Sequence, residues 1–110
     1  MFVAIVLYLD IYKNNRWGRN MESPSEDPYL CGMFGTHYTL GLQDNSDDSR
    51  FLQAVSTLKH FDANSLEGPY WTLNGTWSPE HGSISRHSFN AKVSLYDLAS
   101  SYLSAFKMAV

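Results

Sequence analysis

The chain has 110 residues, 44% of them hydrophobic, which is enough for one ordinary domain with a core. Eight Lys and Arg against eleven Asp and Glu give a formal charge of −3; with the basic residues scattered, a nucleic-acid partner is excluded, because phosphate binding needs a basic patch. A single cysteine, Cys31, permits no internal disulfide and no metal site built on cysteine pairs, and leaves the redox compartment open.

In chain order, "MFVAIVLYL" is apolar for nine residues. It has no basic leader and no small-residue cleavage site, and it is far short of the roughly 20 residues that span a bilayer, so it reads as a strand. Its β-branched content over Phe2 to Leu9 predicts a strand covered on both faces, as in a parallel sheet. From Lys13 to Asp27 the composition is that of a loop. Asp27 at an N-cap and Pro28 at the first helical position then predict a helix to about Gln43, with Leu30, Met33, Phe34, Tyr38 and Leu42 on its apolar face. "DNSDDS" is a solvated acidic turn without the Glu-terminated pattern of a calcium loop.

A second strand is expected over about Gln53 to Phe61, followed by a long loop over 62–87 that contains Trp71 and Trp77. The Asn74-Gly75-Thr76 sequon in that loop matters only in a secreted protein. "SFNAKVS" alternates like a short strand, and "SLYD" has the spacing of a capping box. A helix should run on to about Met108 with Leu95, Leu98, Tyr102 and Phe106 on one face. Strands alternating with helices predict an α/β fold with a parallel sheet.

Two constellations carry chemistry. The first is Arg16, Arg19, Glu22, Glu26 and Asp27 around Trp17 and Gly18, just after the first strand. Planar guanidinium forks could hold sugar hydroxyls there, or the charges could form a salt-bridged loop that caps the helix. The second is Lys59-His60, with Asp62 behind, at the carboxyl end of the second strand, where α/β folds place ligands. Residue types and spacing leave a ligand site and a plain strand end both open. His37, His60, His81 and His87 have no zinc spacing, no glycine-rich phosphate loop occurs, and neither metal nor cofactor is expected.

"LDIYKNNRWGRNMESPSEDPYLCGMFGTHYTLGLQ", "VSTLKHFDANSLEG" and "SFNAKVSLYDLASSYLSAF" together resemble, in order, blocks of glycoside hydrolase family 3, within it the β-xylosidase branch. The blocks cover most of residues 9 to 107. The resemblance implies an amino-terminal (β/α)8 TIM-barrel-type domain and exo-acting, retaining cleavage of terminal non-reducing β-D-xylosyl or β-D-glucosyl residues. It implies an oligosaccharide or aryl glycoside as substrate, an extracellular location, and neither a nucleic-acid nor a membrane partner. Matched residue by residue, Arg19, Lys59 and His60 are the family's holders of the terminal sugar's hydroxyls, while Glu22 and Asp27 support the loop and cap the helix. Lys13 and Asn14 depart from the family's Arg-Asp at that place.

The family's nucleophile, an aspartate in a Ser-Asp motif, and its acid/base follow the segment matched by Phe106, so no catalytic residue is assigned to this chain. A barrel of this kind needs about 250 residues. Residues 1–110 are therefore expected to be an interior piece of the barrel domain, incomplete on both sides, that holds sugar-binding residues and is inert alone. The alternatives are a non-catalytic sugar-binding or interaction module and an unstable truncated product.

Overall fold

The computed structural model describes residues 4–15, 17–66, 86 and 90–110. Strands β1 (Ala4–Tyr8) and β2 (Val55–Lys59) pair in parallel, in register from Ala4 opposite Val55 to Tyr8 opposite Lys59. The ladder is prolonged by Leu9 N–H donating to the Lys59 carbonyl at 2.7 Å. Helix α1 (Pro28–Gln43) joins the strands, as a parallel pair requires. The expected α/β class is present as this two-stranded parallel sheet with helices packed against it.

The two faces of the sheet differ. Leu7 and Leu9 are buried with Phe106 and Ala109, and Leu58 packs beside them; Ile11, Cys31 and Ala105 form an adjoining cluster. On the other face Ala4, Val6, Val55 and Thr57 are exposed, Val6 to 45%. This corrects the expectation of a first strand covered on both sides. An apolar run supplies side chains for two interfaces, but among the described residues only one face has helices over it.

Helix α1 has the expected bounds. The Asp27 carboxylate accepts the Tyr29 N–H at 2.9 Å, and Pro28 occupies the first turn, where its missing N–H costs nothing. Its buried side is not the expected one. Cys31, Gly32 and Gly35 are buried, whereas Leu30, Phe34 and Tyr38 are 52, 44 and 41% exposed. The small-residue side is chosen because it lets the carboxyl-terminal helix approach closely. A Cβ on Gly32 would lie 2.6 Å from Met108 Sδ and 2.9 Å from its Cβ. The Thr36 hydroxyl locks the contact, 2.8 Å from its own helix's Gly32 carbonyl and 2.7 Å from the Met108 carbonyl across the interface.

The acidic turn after α1 is self-contained: Asn45 Oδ1 accepts the N–H groups of Asp47 and Asp48, and Asp48 holds Arg50 through two bonds of 2.9 and 2.8 Å. Strand β2 is shorter than the expected 53–61, since at His60 the backbone N–H turns from the ladder to the Asp10 carboxylate. The expected long loop over 62–87 lies mostly outside the described residues, as does the sequon. Residues 90–94 form no strand, correcting the reading of "SFNAKVS"; Asn90, Ala91 and Lys92 are exposed, and no described strand is beside them to pair with.

Ser94 caps the last helical segment by accepting the Asp97 N–H at 3.0 Å. Asp97 answers to the Ser94 hydroxyl at 2.7 Å rather than to its N–H. The segment runs as α2 (Leu95–Asp97), a wider π turn over Leu98–Tyr102, and α3 (Leu103–Ala109). The π turn inserts extra chain and shifts the helical phase. Ala105, Phe106 and Ala109 therefore face the core while Leu95, expected on the same face, is exposed. No helix among the described residues is long and apolar enough to cross a membrane.

Candidate functional site

Registered neighbours in a parallel sheet point to the same side, so Tyr8 and Lys59 stand together at the carboxyl ends of β1 and β2. Lys59 Nζ lies 4.2 Å from the centre of the Tyr8 ring. Just beyond, Asp10 and His60 meet. His60 Nδ1 is 2.8 Å from Asp10 Oδ2, and the His60 backbone N–H is 3.2 Å from both carboxylate oxygens. The Asp10 side chain is only 1% exposed, while that of His60 is 30% exposed. The His60 and Tyr8 rings meet in a T-shaped contact, with centroids 5.5 Å apart and planes at 70°.

The loop after β1 contributes Arg19. Its Nη2 donates to the Tyr8 hydroxyl at 2.7 Å and to Glu22 at 2.8 Å, with Nε bonded to the same carboxylate at 3.2 Å. One helical turn, Asn20–Glu22, brings Glu22 to the guanidinium. Tyr8 is thus the common support of Arg19, Lys59 and His60.

These three residues line one cleft of about 800 Å³, together with Asp62, Asn64 and Arg86. The rest of the expected arginine and carboxylate constellation disperses: Asp27 caps α1, Trp17 is buried, Glu26 is exposed, and Arg16 lies outside the described residues. His37 sits exposed on α1, and His81 and His87 lie outside the described residues. Among the described residues no three His, Cys, Asp or Glu side chains are placed to hold a metal ion. Arg19 and Lys59 can only donate hydrogen bonds, Asp62 accepts as a carboxylate, and His60 can do either. Such a mixture suits a neutral ligand rich in hydroxyls.

The sequence model of the Glycosyl hydrolase family 3 N terminal domain matches residues 6–95. The chain belongs to glycosyl hydrolase family 3. It is 38% identical over 107 residues to the probable beta-D-xylosidase 7 of Arabidopsis thaliana, covering 93% of this chain and 12% of that protein. It is 40% identical over 96 residues to an exo-1,4-beta-xylosidase of Emericella nidulans, covering 87 and 11%. A beta-xylosidase/alpha-L-arabinofuranosidase of Medicago sativa subsp. varia is 33% identical over 103 residues, covering 93 and 12%. The chain therefore spans about one-eighth of the length of these family 3 relatives. No solved structure matches it.

Tyr8 and Asp10 escaped the sequence reading, as did Asn64 and Arg86 of the cleft. Asp10 was recoverable in principle: a carboxylate between Leu9 and Ile11, at the end of an apolar run, is costly to bury unless something meets it. The two carboxylates nearer the cleft are shifted in opposite directions. Arg19 holds Glu22 below the 4.5 of an unperturbed glutamate, and burial raises Asp62 above the 3.8 of an unperturbed aspartate; Asp62 Oδ2 has no hydrogen-bond partner among the described residues. Glu22 therefore adds stability that is present above pH 4.5 and lost as pH falls through its folded value. Asp62 adds stability that is present below pH 3.8 and lost as pH rises through its folded value. Carbon-detected NMR titration should find both midpoints displaced in these senses, and Arg19→Ala should raise Glu22 toward its ordinary value while leaving Asp62 in place.

Proposed function

We propose that this chain is part of a (β/α)8-barrel glycoside hydrolase that removes terminal non-reducing β-D-xylosyl or β-D-glucosyl residues during extracellular xylan breakdown. Within it, residues 1–110 grip the terminal sugar: Arg19, Lys59 and His60 hold its hydroxyls, and the covalent step belongs to carboxylates outside this segment. The observation that carries the reading is the meeting of these three side chains, from two segments far apart in sequence, in one cleft at the carboxyl ends of parallel strands. Enzymes built on barrels place their sites at that end. The bare sheet face supports the barrel: Val6 and Val55 lie on the same side as Tyr8 and Lys59, as inward-facing residues of a barrel do. The β-xylosidase names of the three relatives support the substrate class.

Glu22 is engaged by Arg19 and Asp10 by His60, so neither is assigned a role in bond cleavage. The 110-residue chain should bind xylose or xylobiose and leave an aryl β-xyloside intact. Lys59→Ala should weaken binding about tenfold or more, since a hydrogen bond from a charged donor contributes about 1.5–3 kcal/mol. Calorimetric titration measures the first and chromophore release the second. Absence of saturable binding to the folded chain would sink the sugar reading; turnover that vanishes with Lys59→Ala would sink the division of labour.

A further inference from the structure

We infer that Asp10 is a positioning residue that fixes the His60 ring as its Nδ1–H tautomer, so that Nε2 faces the cleft as a hydrogen-bond acceptor. An ionised carboxylate only accepts, so the 2.8 Å contact of Oδ2 with Nδ1 requires the proton on Nδ1. Asp10 is itself held in place by the His60 backbone N–H and is shielded from water. Tyr8 packs against the same ring, with centroids 5.5 Å apart. Asn64 Nδ2 lies 3.1 Å from the same Nδ1, and a protonated Nδ1 calls for that amide to present its oxygen instead. A neutral imidazole carries one proton, so Nε2 keeps its lone pair, and among the described residues no hydrogen bond uses it.

The consequence is an acceptor beside the Lys59 donor, in addition to the Asp62 carboxylate. Lys59 offers only N–H groups, and a ligand oxygen that merely accepts would satisfy it. A hydroxyl can accept from Lys59 and donate to His60 Nε2 in the same pose. Asp10 thus makes the cleft select a free hydroxyl over a deoxy or O-methyl position, because the analogue leaves a polar group of the site unpaired. The identity of that hydroxyl as a sugar's rests on the function proposed above; the tautomer does not.

Two-bond proton–nitrogen spectra of the 15N-labelled chain, recorded about two pH units above the ordinary histidine value near 6.5, report the tautomer directly. The expected pattern has a protonated Nδ1 and an unprotonated Nε2 on His60. Asp10→Asn, whose amide can donate to Nδ1, should shift the ring toward the Nε2–H form while circular dichroism stays native. A wild-type His60 in the Nε2–H form, or in the averaged mixture of free histidine, overturns the inference whether or not the variant folds. So does a pattern unchanged in a folded Asp10→Asn. Titration with xylose and its singly deoxygenated or O-methylated forms adds a second arm: one position should lose about tenfold or more in affinity, and that discrimination should disappear in Asp10→Asn. Equal affinity for all the forms in the wild type overturns the selection step. An Nδ1–H ring in a chain that binds no sugar upholds Asp10's role and removes the sugar reading alone.

Discussion

Replacing His60 with alanine is expected to destabilise the chain by about 3 kcal/mol, through the carboxylate it leaves behind. Asp10 would keep only one backbone N–H, 3.2 Å from each oxygen, in a place where its side chain is 1% exposed. Removing one partner of a buried pair costs about 3–5 kcal/mol, and the partial exposure of His60 puts this case at the low end, because water can enter the vacated space. Urea unfolding followed by circular dichroism measures the loss. His60→Ala combined with Asp10→Ala should fall well short of the sum of the two single losses, since the two residues share one interaction. A cost below about 1 kcal/mol, as for an exposed ion pair, would show that Asp10 finds water in the folded chain.

Gly35→Val is expected to cost about 2–3 kcal/mol by forcing α1 away from the sheet and α3. A Cβ there already falls 2.8 Å from Leu9 Cδ2 and 3.0 Å from Ala109 Cβ, and valine adds two methyls. The higher helix propensity of valine over glycine offsets only a few tenths of a kcal/mol. Gly41, in the same helix, has nothing within 4 Å of a Cβ, so Gly41→Ala should stabilise by about 0.5–1 kcal/mol. The pair separates packing from propensity in one urea series. A neutral Gly35→Val would mean that Leu9 and Ala109 do not close on α1 as described.

What the sequence made legible was whatever is signalled locally. Asp27-Pro28 marks the start of α1, Ser94 marks the start of α2, and the β-branched run around Val55 marks β2. The buried side of α1 was illegible, because glycine carries no hydropathy signal and the reason for Gly32 is Met108, far along the chain. Coverage of β1 was misjudged because a run of apolar residues reports what a strand can bury, not which neighbours are present. Arg19, Lys59 and His60 were named from the family blocks and share one cleft; their roles toward a sugar stay a proposal. Asp10 stood out as a carboxylate inside an apolar run, but its partner did not: His60 is 50 residues away, and no periodicity links a strand end to another strand end.

The turn that carries His60 touches the core at a second place. Phe61 is 74% exposed, yet one edge of its ring meets the buried Phe106 of α3, with centroids 5.3 Å apart and planes at 84°. Asp10 fastens the turn from the sheet side and Phe106 from the helix side, so the turn is mounted at two points like a hinge pin between bearings. A substitution such as Phe106→Leu, remote from the cleft in sequence, loosens one bearing, and its effect travels to the angle at which His60 is presented.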